Sequence, residues 1–249
     1  SWEVSIDVDV LATVRASREA MARVASRPVL DEWYRHFTLD SEEAAAAIGI
    51  GGKVLKKADR ALKHAALLID MKQTGGAEPV IQDQPPLVYH PPRSRAAAFR
   101  GDVEAMLAHY TTTLTPERQL LLRRYRLADA AYKVVGVGAV GTRCGVVLMV
   151  SSDGEALYLQ FKEAAASVLE PYAGKSPYKH HGERVVRGQR LIQAASDVLL
   201  GYARGPNGRD IYLRQLRDSK IKPVLEAMTA KSFRRYAATC GEVLARAHA

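Results

Sequence analysis

Between residues 134 and 142 the chain reads Val134-Val135-Gly136-Val137-Gly138-Ala139-Val140-Gly141-Thr142, with apolar segments on either side. Glycines at this spacing let backbone N–H groups approach a phosphate with no Cβ in the way, and glycine reaches positive φ at little steric cost. A phosphate-bearing ligand is the first expectation. The same run also serves as a plain turn between strands, so its surroundings decide. A dinucleotide-binding unit needs a helix to open within the glycines, so that the pyrophosphate rests on its N-terminus. The residues after Gly141, Thr142-Arg143-Cys144-Gly145-Val146-Val147-Leu148-Met149-Val150, favour a strand instead. Ser151-Ser152-Asp153-Gly154 then marks a hairpin, and a third strand is expected over 156–162.

Three antiparallel strands with a glycine-rich first turn resemble the nucleotide-covering sheet of protein kinases. That sheet needs a lysine near the end of its third strand to neutralise phosphates, and a carboxylate on the next helix to hold the lysine. Lys162 stands at the first position. A helix expected over roughly 182–202 offers Glu183 in its first turn, 21 positions later. Glu163 adjoins the lysine, but on a strand it faces the other way. Taken singly, Lys162 also fits a solvated strand end and Glu183 a carboxylate near a helix N-terminus.

The stretches Lys133-Val134-Val135-Gly136-Val137-Gly138, Gln160-Phe161-Lys162-Glu163-Ala164, Arg184-Val185-Val186-Arg187-Gly188-Gln189-Arg190, Tyr212-Leu213-Arg214-Gln215-Leu216-Arg217-Asp218 and Leu244-Ala245-Arg246-Ala247-His248-Ala249 closely resemble the bacterial family called domain of unknown function 2252. The likeness is specific from about residue 92 onward and weaker before it, where Asp31-Glu32-Trp33-Tyr34 matches best. It implies a kinase-like fold related to the aminoglycoside phosphotransferases, with its parts in a rearranged order, and ATP with Mg2+ as cofactors. On that resemblance Gly136, Gly138, Gly141 and Thr142 cover the phosphates, Lys162 neutralises them, Glu183 positions Lys162, and Gln215 lies near the base. The family's Gly-Asp-x-His-x-x-Asn-like loop and Asn-Asp-Phe-Asp-Glu-like segment, its candidates for catalytic base and metal ligands, are absent from this chain. Arg100-Gly101-Asp102 lacks the His and Asn of that loop, and reads as a helix start. Metal ligands therefore stay unassigned. A start at Ser1 without Met, and a stop at Ala249 inside a helical pattern, lead to the expectation of an incomplete piece of the full fold.

The expected fold class is α+β and kinase-like: a small antiparallel sheet with a glycine-rich turn plus a helix, surrounded by additional helices. Residues 1–78 read as a helical region, with helices over 11–37 and 42–72 and glycines at 49, 51 and 52 interrupting the second. Residues 79–95 read as a proline-rich linker, because 74–95 holds five prolines and must be largely extended. Tyr89 and His90 within it are read as surface packing. Residues 96–249 form the kinase-like nucleotide-binding region. Within it, a helix opens at Thr115-Pro116-Glu117 with Thr as N-cap and runs to about 131. The tandem His180-His181 caps a helix or bonds at the surface, since neighbours on a helix cannot both face one metal. A turn at Gly205-Pro206-Asn207-Gly208 leads to a strand over 210–216, and a last helix over 231–249 turns Phe233, Tyr236, Val243 and Leu244 inward.

At 249 residues and 47% hydrophobic, the chain is long enough for one sizeable core or two small ones. No apolar run reaches membrane-spanning length and no signal-peptide pattern stands at the start. Cys144 and Cys240, with neither metal nor redox spacing, are expected reduced and buried, in keeping with a cytoplasmic location. The net charge of +9 raises nucleic-acid binding as one alternative, through Lys53, Lys56, Lys57, Arg60 and Lys63 on one helix and Arg118, Arg123, Arg124 and Arg126 on another. A second alternative is a pseudokinase-like scaffold without turnover. No motif reveals a phosphate acceptor or an oligomeric state.

Overall fold

The computed structural model describes residues 3–33, 79–134, 141–193, 196–216 and 228–248. The second expected helix with its basic row, together with Gly136, Gly138, Arg217 and Asp218, lies outside the described residues. The elements are α1 (Glu3–Ala25), α2 (Val29–Trp33), β1 (Val88–Tyr89), α3 (Arg93–Thr112), α4 (Pro116–Leu122), β2 (Tyr125–Lys133), β3 (Cys144–Ser151), β4 (Ala156–Glu163), α5 (Glu170–Ala173), α6 (His181–Ile192), β5 (Gly201–Arg204), β6 (Asp210–Gln215) and α7 (Ala230–His248). They fall into two compact units: 1–64 with 190–195 and 219–249, and 65–189 with 196–218. The architecture is mixed α+β.

In the first unit, α1 stops at Ala25 rather than running to 37. Pro28 has no N–H and disfavours helical geometry at Arg27, so the chain breaks before α2 begins at Val29. Helix α7 packs on α1 through Ala237, Gly241 and Ala245, a stripe of small residues spaced by four. A Cβ on Gly241 would stand 2.2 Å from the Thr13 carbonyl oxygen. Val243 and Leu244, expected inward, are instead exposed. Close backbone approach selects small residues for the contact face and leaves the larger side chains outside it. Flanking ion pairs join Arg23 to Glu242 (3.0 Å) and Arg234 to buried Asp9 (3.5 Å).

The second unit is built on one antiparallel six-stranded sheet, in the order β1-β2-β3-β4-β6-β5. The hairpin between β3 and β4 turns at Gly154, with φ +82°. The helix expected from 116 to 131 ends at Leu122, and Tyr125–Lys133 is strand β2. Its alanines carry high helix propensity, but pairing with β3 overrides it. Thr115 does sit at the N-cap of α4, yet its hydroxyl bonds the Glu117 carboxylate rather than a backbone N–H. The helix expected over 182–202 likewise ends at Ile192, and Gly201–Arg204 becomes β5. Gly201 permits this: a Cβ there would meet the Tyr110 ring at 2.7 Å.

Helix α3 covers one face of the sheet. Val103, Met106, Leu107 and Tyr110 pack there with Val147, Leu159, Phe161 and Leu213. The fully buried Tyr110 hydroxyl donates to the Leu199 carbonyl. The opposite face gathers Ile81, Val88, Ala131, Val146, Leu148 and Val150. Residues 79–90, read as linker, thus form a strap with Ile81 and Val88 buried against the sheet and β1 on its edge. Polar bonds reinforce it, because Asp129 accepts from the Ile81 N–H (2.7 Å) and from His90 Nε2 (3.0 Å). A register shift between Leu127 and Asp129 marks a bulge in β2, a device that re-aims side chains.

Gly241→Ala is expected to cost about 1–3 kcal/mol, the usual range for forcing atoms into a filled contact. Gly188→Ala on α6, where no atom lies within 4 Å of the added carbon, should be neutral or stabilising by up to about 1 kcal/mol. Chemical denaturation of both variants checks the pair.

Candidate functional site

The glycine-rich connection joins β2 to β3. At one described end the Val134 N–H donates to the Leu87 carbonyl of the strap (2.7 Å). At the other, Gly141 has φ +81°, a left-handed conformation that favours glycine, and Thr142 is exposed. The next N–H, on Arg143, donates to Glu163 Oε2 (3.1 Å), and Glu163 also pairs with Arg209.

Register distributes the neighbouring side chains between the two faces. Cys144, Lys162, Tyr212 and Tyr202 are successive cross-strand partners on β3, β4, β6 and β5. Directly opposed residues project to one face, so these four share the face away from α3. Val146, Gln160 and Arg214 form the next row on that face. Glu163 falls with Phe161 and Ile211 on the α3 side, as strand alternation requires. Gln215, the partner of Leu159, also belongs to the α3 side and not to the Lys162 face. Its N–H is taken by Asp197 Oδ2 (2.6 Å).

Gln160 organises the Lys162 face. It is 3% exposed; its Oε1 accepts from Arg214 Nη2 (3.1 Å) and Nε (3.3 Å), and its Nε2 donates weakly to Cys144 Sγ (3.7 Å). Burial pushes the Cys144 thiol up, against the opposing pull of Lys162, Lys133 and Arg214. It therefore stays protonated near neutral pH. Among the described residues, none of these three cations has a carboxylate partner. A concentration of unpaired positive charge beside buried polar groups is chemically suited to hold an anion.

Helix α6 starts against the same face, with the His180 ring 4.9 Å from that of Tyr202. His180 Nε2 donates to the Ala203 carbonyl (3.1 Å) and Nδ1 accepts from the Glu183 N–H (3.2 Å), which assigns a neutral ring serving as a cap. Burial lowers its pKa, Asp210 opposing. The His181 N–H donates to Asp210 Oδ2 (2.6 Å). Glu183 pairs with Arg187 one turn on (3.3 Å), so the expected Lys162–Glu183 ion pair is not formed. The arginines expected in a row along one helix are also separated, Arg118 lying on α4, Arg123 and Arg124 in the turn, and Arg126 on β2. Cys240, expected buried, is exposed.

Lys133, Gln160 and Arg214 are the members of this face that sequence reasoning missed. The signal for Gln160 was its spacing of two from Lys162. For Lys133 and Arg214 it was register, which no local pattern carries. Among the described residues no group of three or more His, Cys, Asp or Glu stands ready to hold a metal ion, and no helix is long and apolar enough to cross a membrane.

The chain belongs to the DUF2252 family. The family model, described as an uncharacterized protein conserved in bacteria, matches residues 4–249. No curated protein and no solved structure matches the chain. This DUF2252 match spans both compact units, so helices α1 and α7 belong to the family's body as much as the sheet does.

In the native DUF2252 chain, the exposed Cys240 thiol should react with a thiol-specific disulfide reagent quickly, while Cys144 reacts only on unfolding. Counting thiolate released per chain, before and after denaturant, checks this.

Proposed function

We propose that the sheet unit is the nucleotide-binding part of a kinase-like phosphotransferase, with the phosphates of ATP held on the Lys162 face. One observation carries this reading: Lys133, Lys162 and Arg214, without carboxylate partners among the described residues, share a sheet face beside the glycine-rich connection, and α6 opens against that face. The order of parts supports it, since a glycine-rich turn, a lysine on the third long strand and then a helix is the order in which kinases cover and neutralise phosphates.

In this reading Gly136, Gly138, Gly141 and Thr142 offer backbone and hydroxyl donors to the phosphates. Lys162 neutralises charge, and Arg214 supplies a second cation whose orientation Gln160 sets. Glu183 is the intended holder of Lys162. Its bond to Arg187 is an i,i+4 pair with an exposed guanidinium, worth only about 0.3–0.5 kcal/mol, so exchanging partners when nucleotide arrives costs little. Gln215 contributes to the base through its backbone carbonyl, its N–H being already used and its side chain lying on the α3 side. Phosphoryl transfer depends mainly on positioning and charge neutralisation, which is what this face supplies. Among the described residues no group of three or more His, Cys, Asp or Glu offers magnesium a donor set. The Glu183–Arg187 pair also favours a second reading, a scaffold of the same fold that binds nucleotide without turnover.

Isothermal titration with ATP, with and without magnesium, tests the site. Saturable binding is expected, weakened about tenfold or more by Lys162→Ala and by Arg214→Gln, each of which removes a charged hydrogen bond. Gly138→Val should weaken it by blocking backbone approach. Binding left intact by all three substitutions overturns the proposal. Binding without phosphate transfer, in a protein that also carries the Gly-Asp-x-His-x-x-Asn-like loop, selects the scaffold reading.

A further inference from the structure

His90 stands between two carboxylates. Its Nδ1 lies 2.7 Å from Asp83 Oδ1 and its Nε2 lies 3.0 Å from Asp129 Oδ2, while its backbone N–H also donates to Asp83 Oδ1 (2.8 Å). Carboxylates at neutral pH only accept, so both ring nitrogens must donate, and the ring must be an imidazolium. Asp129 is itself anchored, accepting from the Ile81 N–H (2.7 Å) and from the Ala130 N–H (2.8 Å). Asp83 comes from the strap and Asp129 from β2, and these are the charged groups that face the ring. One side chain thus ties the C-terminal end of the strap back to Asp83 within it and to the sheet at Asp129.

That tie bears on the glycine-rich connection. The strap turns tightly at Gln84, whose N–H donates to the Val88 carbonyl (2.8 Å), and Val88 pairs with Lys133. The Leu87 carbonyl then accepts from Val134, the last described residue before the glycines. Backbone geometry at Val134 therefore depends on how firmly the strap is held.

We propose that Asp83, His90 and Asp129 form a proton-held latch that clamps the strap onto β2 and fixes the backbone from which the glycine-rich connection departs, making His90 a positioning residue for the phosphate site. The positioning half rests on the phosphate-site reading; the latch does not.

The bond to Asp129, aided by Asp83 and opposed by burial, raises the His90 pKa from 6.5 to about 9. A raised pKa means the folded state holds the proton more tightly than the unfolded one. The latch's contribution is therefore complete below about pH 6.5, declines above it and is gone beyond about pH 9. At high pH one ring nitrogen turns its lone pair toward a carboxylate and that contact opens. Burial pushes the Asp129 carboxyl up, but the bonds from His90 and Ile81 outweigh it and hold it below 3.8. On the acid side the latch therefore persists until pH falls through that lowered value.

The test is amide hydrogen exchange of Val88 and Val134 in the full chain, from about pH 6 to about pH 10, expressed as protection over the intrinsic rate. Wild-type protection is expected to fall about tenfold between about pH 6.5 and about pH 9, levelling off where the ring titration seen by NMR is complete. His90→Ala should show low protection with no such step. Asp83→Asn, a shape-preserving change at an exposed site, should fold normally and move the levelling-off to lower pH. Wild-type protection with no step up to about pH 10, or wild-type protection in His90→Ala, overturns the latch. ATP titration of the same variants near pH 7 separates the two halves. Affinity about tenfold weaker in His90→Ala supports positioning, and equal affinity overturns it. Wild-type protein that shows the step but binds no ATP supports the latch and overturns the phosphate-site reading.

Discussion

Strand β4 is hydrogen-bonded along both edges, to β3 and to β6, and its register decides what each face of the sheet can do. A slip of one residue would turn Lys162 into the packed side under α3 and lift Phe161 to the other face. The pairing is secured by burial rather than by any single bond. Leu157, Leu159 and Phe161 interlock with α3 residues on one side, while Gly145 leaves room for the Phe161 ring, which would otherwise meet a Cβ at 2.3 Å. The charge arrangement around Cys144 is thus a product of hydrophobic packing on the opposite face.

The same logic relates the chain's polar groups to its backbone. Asp210 receives the His181 N–H and pairs with Arg204, so it joins the start of α6 to the β5–β6 hairpin. Asp197 accepts from Leu199 and Gln215, closing the segment between α6 and β5. Asp129, re-aimed by a bulge, does the equivalent for the strap. In each case a buried or half-buried carboxylate satisfies backbone donors that the sheet leaves over, which is how a fold with short strands avoids unpaired N–H groups. The proposed site has the opposite character. Its cations have a neutral amide and a thiol for neighbours, and that imbalance distinguishes it from the structural pairs elsewhere in the unit.

Local chemistry made much of the sheet unit legible. The β-branched run after Gly141, the Asp153-Gly154 hairpin and the alternation through Lys162 were readable because strand pattern and turn chemistry act over a few residues. The opposite facing of Glu163 was readable for the same reason. Misreadings fell where propensity and packing disagree. The alanines of β2 favour a helix in isolation, and residues 196–202 continue a helical pattern that the tertiary fold does not use. The inward face of α7 was misassigned because large apolar residues were expected to pack, whereas close approach to α1 selects Ala and Gly.

By itself, then, the sequence determined the family, the mixed α+β class, the turn chemistry and the presence of a strand-borne lysine after a glycine-rich run, all properties of short segments. Only tertiary structure decided that Lys133, Gln160 and Arg214 join Lys162, that Gln215 faces away from it, that Glu183 bonds Arg187, and that the proline-rich strap is clamped to the sheet by His90. These depend on which strands pair and in what register. That choice follows from the summed burial of side chains far apart in the chain, which no local window contains.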